Sequence, residues 1–244
     1  MTKDWAAEYL TNWVAPDGGG KLKPSDIHEP FPGCSLETTN NENPILFLVQ
    51  SAMELIKHYP ASIFSFKALY EKHMASTVVE GIEGLHSRRC GDFTIRRQSH
   101  DNVVAMLIGG WYFKSDYAMK IYKYGSSVGW NYAVMTPGQF DMKSQIQGGD
   151  VAIAHYAVGF SPEIWNVIWL AVGLAISKTW NLADIRIQFL QAAKDKIPLV
   201  HKLILGPAIF IHQLRRGPRV NWVKKYFGGT EYPFRMVIEE SLSK

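Results

Sequence analysis

Residues 43–75 read NPILFLVQSAMELIKHYPASIFSFKALYEKHMA, and this stretch decides the fold class. Asn43 and Pro44 are a typical helix start, because asparagine accepts free N–H groups of the first turn and proline needs no hydrogen bond there. Apolar residues then recur at three- and four-residue spacing to Tyr59, Pro60 ends the helix, and a second apolar pattern follows at once. The stretch predicts two helices joined by a short turn, an αα-hairpin.

The rest of the chain shows further helical patterns and no strand pattern. No window alternates apolar and polar residues with a period of two, which disfavours a parallel-sheet enzyme or a β-sandwich. Pro207 is expected to break its helix, because proline lacks the N–H group and collides with the preceding turn. The further helices are predicted over residues 3–14, from Ser99 or Asp101 to Phe113, from Ser115 or Asp116 to Gly129, and over 150–158, 161–180, 181–196, 198–216 and 219–226.

The links between these helices alternate in character. Short links join the helices of each hairpin, and long polar links join one hairpin to the next, as in α/α toroids and helical arrays. Because no exact repeat is present, we predict one all-α domain over residues 1–244, either a partial α/α-toroid or an irregular bundle. Residues 15–43, rich in Pro, Gly and Asn, are expected to form an irregular arm, which serves as a flap, as an intersubunit arm or as a plain linker.

Composition excludes several functional classes. A net charge of +4 is too small for a general electrostatic attraction to nucleic acid. The basic cluster Arg215–Lys225 therefore supports only the weakest interpretation, an electrostatic contact with nucleic acid or anionic lipid. Cys34 and Cys90 are too few for a disulfide framework and have no metal-site spacing, so neither a metal nor a cofactor is expected. The motifs of P-loop proteins, serine hydrolases, zinc proteases and dinucleotide enzymes are absent from the sequence.

The sequence predicts no export signal and no membrane span. Lys3, Asp4 and Glu8 interrupt the apolar residues of the N-terminus, where a signal peptide needs an unbroken apolar core. The most apolar stretch, residues 164–176, is shorter than the roughly 20 residues that cross a bilayer. We expect a cytoplasmic protein in which residues 164–176 form a central buried helix.

The polar stretch at residues 84–102 is the candidate site, with four arginines, two histidines and two aspartates. Its arginines suit carboxylate or phosphate groups, which makes them candidate ligand-binding residues: Arg88, Arg89, Arg96 and Arg97. The candidate catalytic residues are two carboxylates acting as acid or base and a histidine that exchanges the proton: Asp92, Asp101 and His100. A structural ion-pair network, with Asp101 capping a helix, explains the same residues, and both interpretations stay open.

Aromatic residues near the polar links add a carbohydrate hypothesis. Trp111 and Trp130 are candidate ligand-binding residues, because a flat ring packs on the C–H face of a sugar, although core packing is the commoner role. Glycoside hydrolysis would further need two carboxylates that face each other across a cleft. Further candidates from the polar links are Glu80, Glu83, Asp141 and Asp150.

The succession of NENPILFL, GLHSRRCGDF and RQSHDN between residues 41 and 102 resembles helical proteins of tailed bacteriophages, with Cys90 where such loops have proline. The resemblance covers residues 43–150, and in those proteins the layout is similar to helical-hairpin glycosidases. It implies a virion or assembly-associated protein of the host cytoplasm or the particle, with a glycan-binding or glycan-processing site. Its implied partners are glycans, further copies of the chain or other virion proteins. The alternative is a purely structural or interaction protein without catalytic activity.

Overall fold

The computed structural model describes residues 4–12, 14, 18, 44–79, 81–87, 100–130, 148–177, 183, 186–187, 189–191 and 193–216. Its helices, in chain order, are α1 Trp5–Asn12, α2 Pro44–His58, α3 Ile63–Thr77, α4 His100–Tyr112, α5 Tyr117–Ser127, α6 Gly148–Val158, α7 Ile164–Ile176 and α8 Leu199–Arg216. A 3-10 turn, Pro60–Ser62, joins α2 to α3. These ranges contain no sheet, so the predicted all-α class is confirmed.

Helix α4 lies at the centre of the packing, in contact with α2, α5 and α6. Every residue from Asn102 to Gly110 is buried, because the run VVAMLI is apolar on all sides of the helix. Helix α6 also contacts α7, and α7 contacts α8, so each helix from α4 onward touches a sequence neighbour. The core therefore extends along the chain from α2 to α8.

The hairpin predicted from residues 43–75 is present. Pro60 begins the 3-10 turn after α2, and α3 begins three residues later. Tyr70 of α3 reaches the central helix, where its hydroxyl donates a hydrogen bond to the Met106 carbonyl at 2.6 Å. The hairpin thus packs on α4 through an aromatic side chain whose polar end has a partner.

Two expectations about helix interiors and ends are wrong. Pro207 lies inside one continuous helix, α8. Pro207 is exposed to solvent, and the carbonyl group that loses its helical hydrogen bond belongs to exposed Leu203. Leu205 before the proline and Ala208 after it are buried, so both halves of the helix pack against the core. Helix α7 begins at Ile164 with Glu163 before it and ends at Ile176, which is shorter than predicted at both ends.

Helix α7 also differs from the central buried helix that its composition predicts. Val167, Leu170 and Leu174 are buried, but Trp165 and Trp169 are exposed. Apolar composition alone does not distinguish a helix surrounded by protein from one that has an apolar outer side. Among the helices that the structure describes, none is long and apolar enough to cross a membrane.

The predicted arm at residues 15–43 and the predicted helix at 219–226 lie outside the described residues, apart from Gly18. The single-domain organisation and the choice between a toroid and a bundle stay predictions.

Candidate ligand cleft

The predicted polar site is described only at its two ends, residues 84–87 and residues 100–102. Arg88, Arg89, Asp92, Arg96 and Arg97 lie outside the described residues. His100 and Asp101 form the start of α4, where the backbone but not the side chains is described. Asp101 is therefore a residue of the first helical turn, and Ser99 lies outside the described residues.

Trp130, one of the two tryptophans predicted to bind a ligand, lies in the core with 8% of its surface exposed. Its ring packs edge-on against Tyr122, with 5.6 Å between ring centroids. The backbone explains this placement: Gly129, at φ +60°, ends α5 in a left-handed turn, and the Trp130 N–H donates to the Gly125 carbonyl at 2.7 Å. The turn directs the tryptophan back against its own helix.

Trp111, the other predicted ligand-binding tryptophan, lies at an open cleft of about 600 Å³. The cleft forms where the end of α4 and the start of α5 meet the end of α6. Its lining residues are Gly110, Trp111, Tyr112, Lys114, Ser115, Asp116, Ala118, Met119, Ala157, Val158 and Lys196. Ligand sites commonly have volumes of roughly 300–1,000 Å³, so this cleft is large enough for a small sugar.

The turn after α4 shapes one wall of the cleft. Ser115 N–H donates to the Gly110 carbonyl at 2.8 Å and Lys114 N–H donates to the Trp111 carbonyl at 3.2 Å, the hydrogen-bond pair of a Schellman motif. Lys114 occupies the left-handed position of that motif at φ +52°, where glycine is usual. The turn lets α5 start directly beside α4: a Cβ atom on Gly110 would lie 2.7 Å from the Ala118 Cβ.

Charged groups surround the aromatic wall. The ammonium group of Lys196 lies 5.6 Å from the centroid of the half-buried Trp111 ring, within the range of a cation–π contact. The buried ring of Phe189 supports Trp111 from behind, edge-on at 5.3 Å. Lys114 and Asp116 are exposed at the rim, and the Asp116 side chain makes no capping hydrogen bond to α5. The described lining thus has two cations and one carboxylate.

This arrangement suits an acidic ligand with a flat apolar side. Trp111 and Tyr112 present ring surface, and the two lysines attract negative charge. Asp116 is the acidic residue of the described lining, so a facing pair of carboxylates for glycoside hydrolysis is not formed by these residues. The part of the chain that the structure describes contains no group of three His, Cys, Asp or Glu side chains that could hold a metal ion.

No protein-family model, curated protein or solved structure matches this chain. The resemblance to bacteriophage proteins therefore stays a prediction from short motifs.

Lys114 and Lys196 are cleft residues that sequence reasoning missed. Lys114 follows Phe113 at the end of an apolar run, and no motif or spacing marks it as a binding residue. Lys196 is 85 positions after Trp111, and no local pattern signals that the two meet. Residues that only tertiary packing brings together have no characteristic spacing in the sequence that could reveal their contact.

Proposed function

We propose that this chain binds a negatively charged glycan in the cleft beside Trp111. The observation that carries the proposal is the Lys196 ammonium group above the Trp111 ring, next to Tyr112 and Lys114. A sugar ring stacked on tryptophan would bring a carboxylate or phosphate substituent within reach of the two lysines. The proposal narrows the glycan hypothesis of the sequence to acidic sugars.

The backbone at Lys114 supports a ligand-binding role for this turn. A non-glycine residue in the left-handed region costs roughly 1 kcal/mol, and such residues cluster at functional sites. Glycine would close the same turn without that cost. A lysine at this position has a cost for folding, and a charge at the rim of the cleft accounts for its presence.

Binding is better supported than hydrolysis. The described lining supplies Asp116 but no second carboxylate opposite it, and glycosidases need two. Asp92, which the sequence offers as a candidate, lies outside the described residues. Glycan processing and a place in a bacteriophage particle are consequently further proposals that rest on the sequence motifs.

Calorimetric titration with a hexuronic acid oligosaccharide and with its carboxyl-reduced, neutral counterpart tests the proposal. We expect the acidic sugar to bind more tightly. Trp111→Ala should weaken the binding of both sugars about tenfold or more, a change of roughly 1.4 kcal/mol in binding free energy, because the stacking surface is lost. Lys196→Gln should weaken the binding of the acidic sugar and leave the binding of the neutral sugar unchanged.

Matched controls are Trp165→Ala and Lys202→Gln, which remove an exposed tryptophan and an exposed lysine outside the cleft. They should leave both affinities unchanged. Equal binding by wild type and Lys196→Gln would contradict the proposed charge contact, and absence of binding to either sugar would contradict the function. Release of new reducing ends by the wild type would show hydrolysis in addition to binding.

A second function, that of an interaction protein, is supported by a different observation. Large apolar side chains of α7 and α8 are exposed on adjacent helices, and monomeric proteins seldom present wide apolar patches without a partner. This corresponds to the structural or interaction role that the sequence left open.

A further inference from the structure

Helices α7 and α8 present an apolar outer face, defined here by six residues that are 60% to 69% exposed: Trp165, Trp169, Ile176, Leu203, Phe210 and Leu214. Three lie on each helix at separations of four or seven residues, so each set forms a stripe along one side of its helix. The two helices pack on each other. The stripes therefore occupy neighbouring parts of the surface.

The opposite sides of the same helices are already buried. Val167, Leu170 and Leu174 of α7 and Leu205 and Ala208 of α8 belong to the core. A helix at the surface of a globular protein needs one apolar side, which these residues supply. The second apolar side on each helix has no role in the core.

Within α7 and α8 the charged residues are all basic, and exposed Glu163 directly precedes α7. The sequence contains no Asp or Glu from residue 164 to 183, and none from 196 to 230. The basic residues of α8 are Lys202, Arg215 and Arg216. Lys202 is exposed on α8, and exposed Arg215 lies at the end of α8, where its guanidinium donates a hydrogen bond to the Ala175 carbonyl of α7 at 2.6 Å. An apolar stripe among cations and without carboxylates complements an anionic surface.

We infer that the outer face docks on an anionic membrane surface. The inference rests on the second proposed function, that of an interaction protein, and names its partner. An amphipathic helix that lies in the plane of a membrane has Trp, Phe and Leu on its apolar side and Lys or Arg beside them, which is the composition of this face. Trp165 and Trp169 suit the boundary between headgroups and acyl chains, and each basic residue near an anionic leaflet adds attraction.

A second copy of the chain fits this face less well. A symmetric pairing brings identical surfaces together, so the lysine and arginine of α8 would face the same cations of the partner. Neither α7 nor α8 contains a carboxylate to compensate them. Anionic lipid headgroups supply the missing negative charge.

The test measures binding of the full chain to vesicles by flotation and by the blue shift of tryptophan fluorescence. One vesicle contains equal parts of phosphatidylcholine and phosphatidylglycerol, and the other contains phosphatidylcholine alone. We expect binding to the anionic vesicle that weakens with added salt. Trp169→Glu and Phe210→Glu should each weaken it about tenfold or more, because one large apolar side chain no longer enters the membrane and a like charge is introduced. Phe64→Glu, at an exposed phenylalanine of α3, is the matched control and should bind as the wild type does.

The outcomes separate the partner from the function. Equal binding to both vesicles, or unchanged binding by Trp169→Glu and Phe210→Glu, overturns the proposal that the outer face docks on an anionic membrane. If the vesicles do not bind but light scattering shows a dimer that Phe210→Glu dissociates, the membrane is overturned and the interaction function stands. If neither vesicle binding nor self-association is observed and the variants behave as the wild type, the membrane proposal and the interaction function are both contradicted.

Discussion

Several turns of this protein depend on residues with a left-handed backbone. Gly84, at φ +84°, is the first residue of the polar stretch and lies in the turn after α3. It packs against α5, where a Cβ atom would collide with the Lys120 carbonyl oxygen and lie 2.7 Å from its carbon. Gly81, at φ +78°, precedes it in the same turn, and a Cβ atom there would have no neighbour within 4 Å. The two glycines share a left-handed backbone conformation but differ in the space available for a side chain.

This difference gives a prediction. Gly81→Ala should lower the free energy of unfolding by about 1 kcal/mol, the cost of an alanine in the left-handed region. Gly84→Ala should cost about 1–3 kcal/mol more, because the methyl group also displaces the Lys120 backbone. Urea denaturation of the two variants checks the ordering, and equal losses would show that the turn moves away from α5 freely.

At the scale of elements, α8 combines a proline in its interior with stable packing of its inner side. Pro207 removes one backbone hydrogen bond, and the Leu203 residue that would accept it is exposed to solvent. On the inner side, His201 lies 2.9 Å from the Tyr156 hydroxyl of α6. Tertiary contacts of one side therefore maintain a helix that local preference opposes.

We expect Pro207→Ala to raise the free energy of unfolding by about 1–3 kcal/mol, because proline in a helix interior is roughly 3 kcal/mol less favourable than alanine. Gln213→Ala, at another exposed position of α8, is the control and should change stability by less than about 0.5 kcal/mol. Thermal unfolding distinguishes the two. A loss of stability in Pro207→Ala would show that the proline shapes α8 to fit α7.

At the scale of the whole molecule, buried histidines connect elements that are distant in sequence. His86 follows α3 and lies with its Nδ1 atom 3.2 Å from the Thr77 hydroxyl, while its ring meets Tyr117 of α5 edge-on at 5.7 Å. Burial, assisted by nearby His73, lowers the pKa of His86 to about 3. Burial also lowers the pKa of His155, against the opposing charge of Glu163, and the pKa of His201.

These shifts predict acid sensitivity. In the unfolded chain a histidine has a pKa of about 6.5, and in the folded protein the pKa of these histidines is lower. At a pH between the two values the unfolded chain therefore binds more protons than the folded protein does. The contribution of these histidines to the free energy of unfolding is fully present above about pH 6.5. It is lost as the pH falls toward about 3, by up to roughly 1.4 kcal/mol per pH unit for His86. Denaturation across this range should show a shallower loss in His86→Gln than in the wild type. His58→Gln, at an exposed position, is the control and should keep the wild-type slope.

The described helices follow from the sequence to different degrees. The α2–α3 hairpin was predictable, since Pro44 and Pro60 mark its limits and apolar spacing marks its faces. The start of α7 was not, because Ser161, Pro162 and Glu163 have the sequence of a helix start, yet the helix begins only at Ile164 and Glu163 makes no side-chain capping hydrogen bond. For the cleft, Trp111 was identified from its type and position, but Lys196 was not.

The sequence by itself determined the all-α class and the hairpin, because helix periodicity, capping and proline stops act between residues a few positions apart. Only the tertiary structure decided which apolar side of α7 enters the core and which stays exposed, because both sides are equally apolar in the sequence. The same holds for the meeting of Trp111 and Lys196 and for the depressed pKa of His86. Each of these depends on distances between residues of different elements, which packing alone sets.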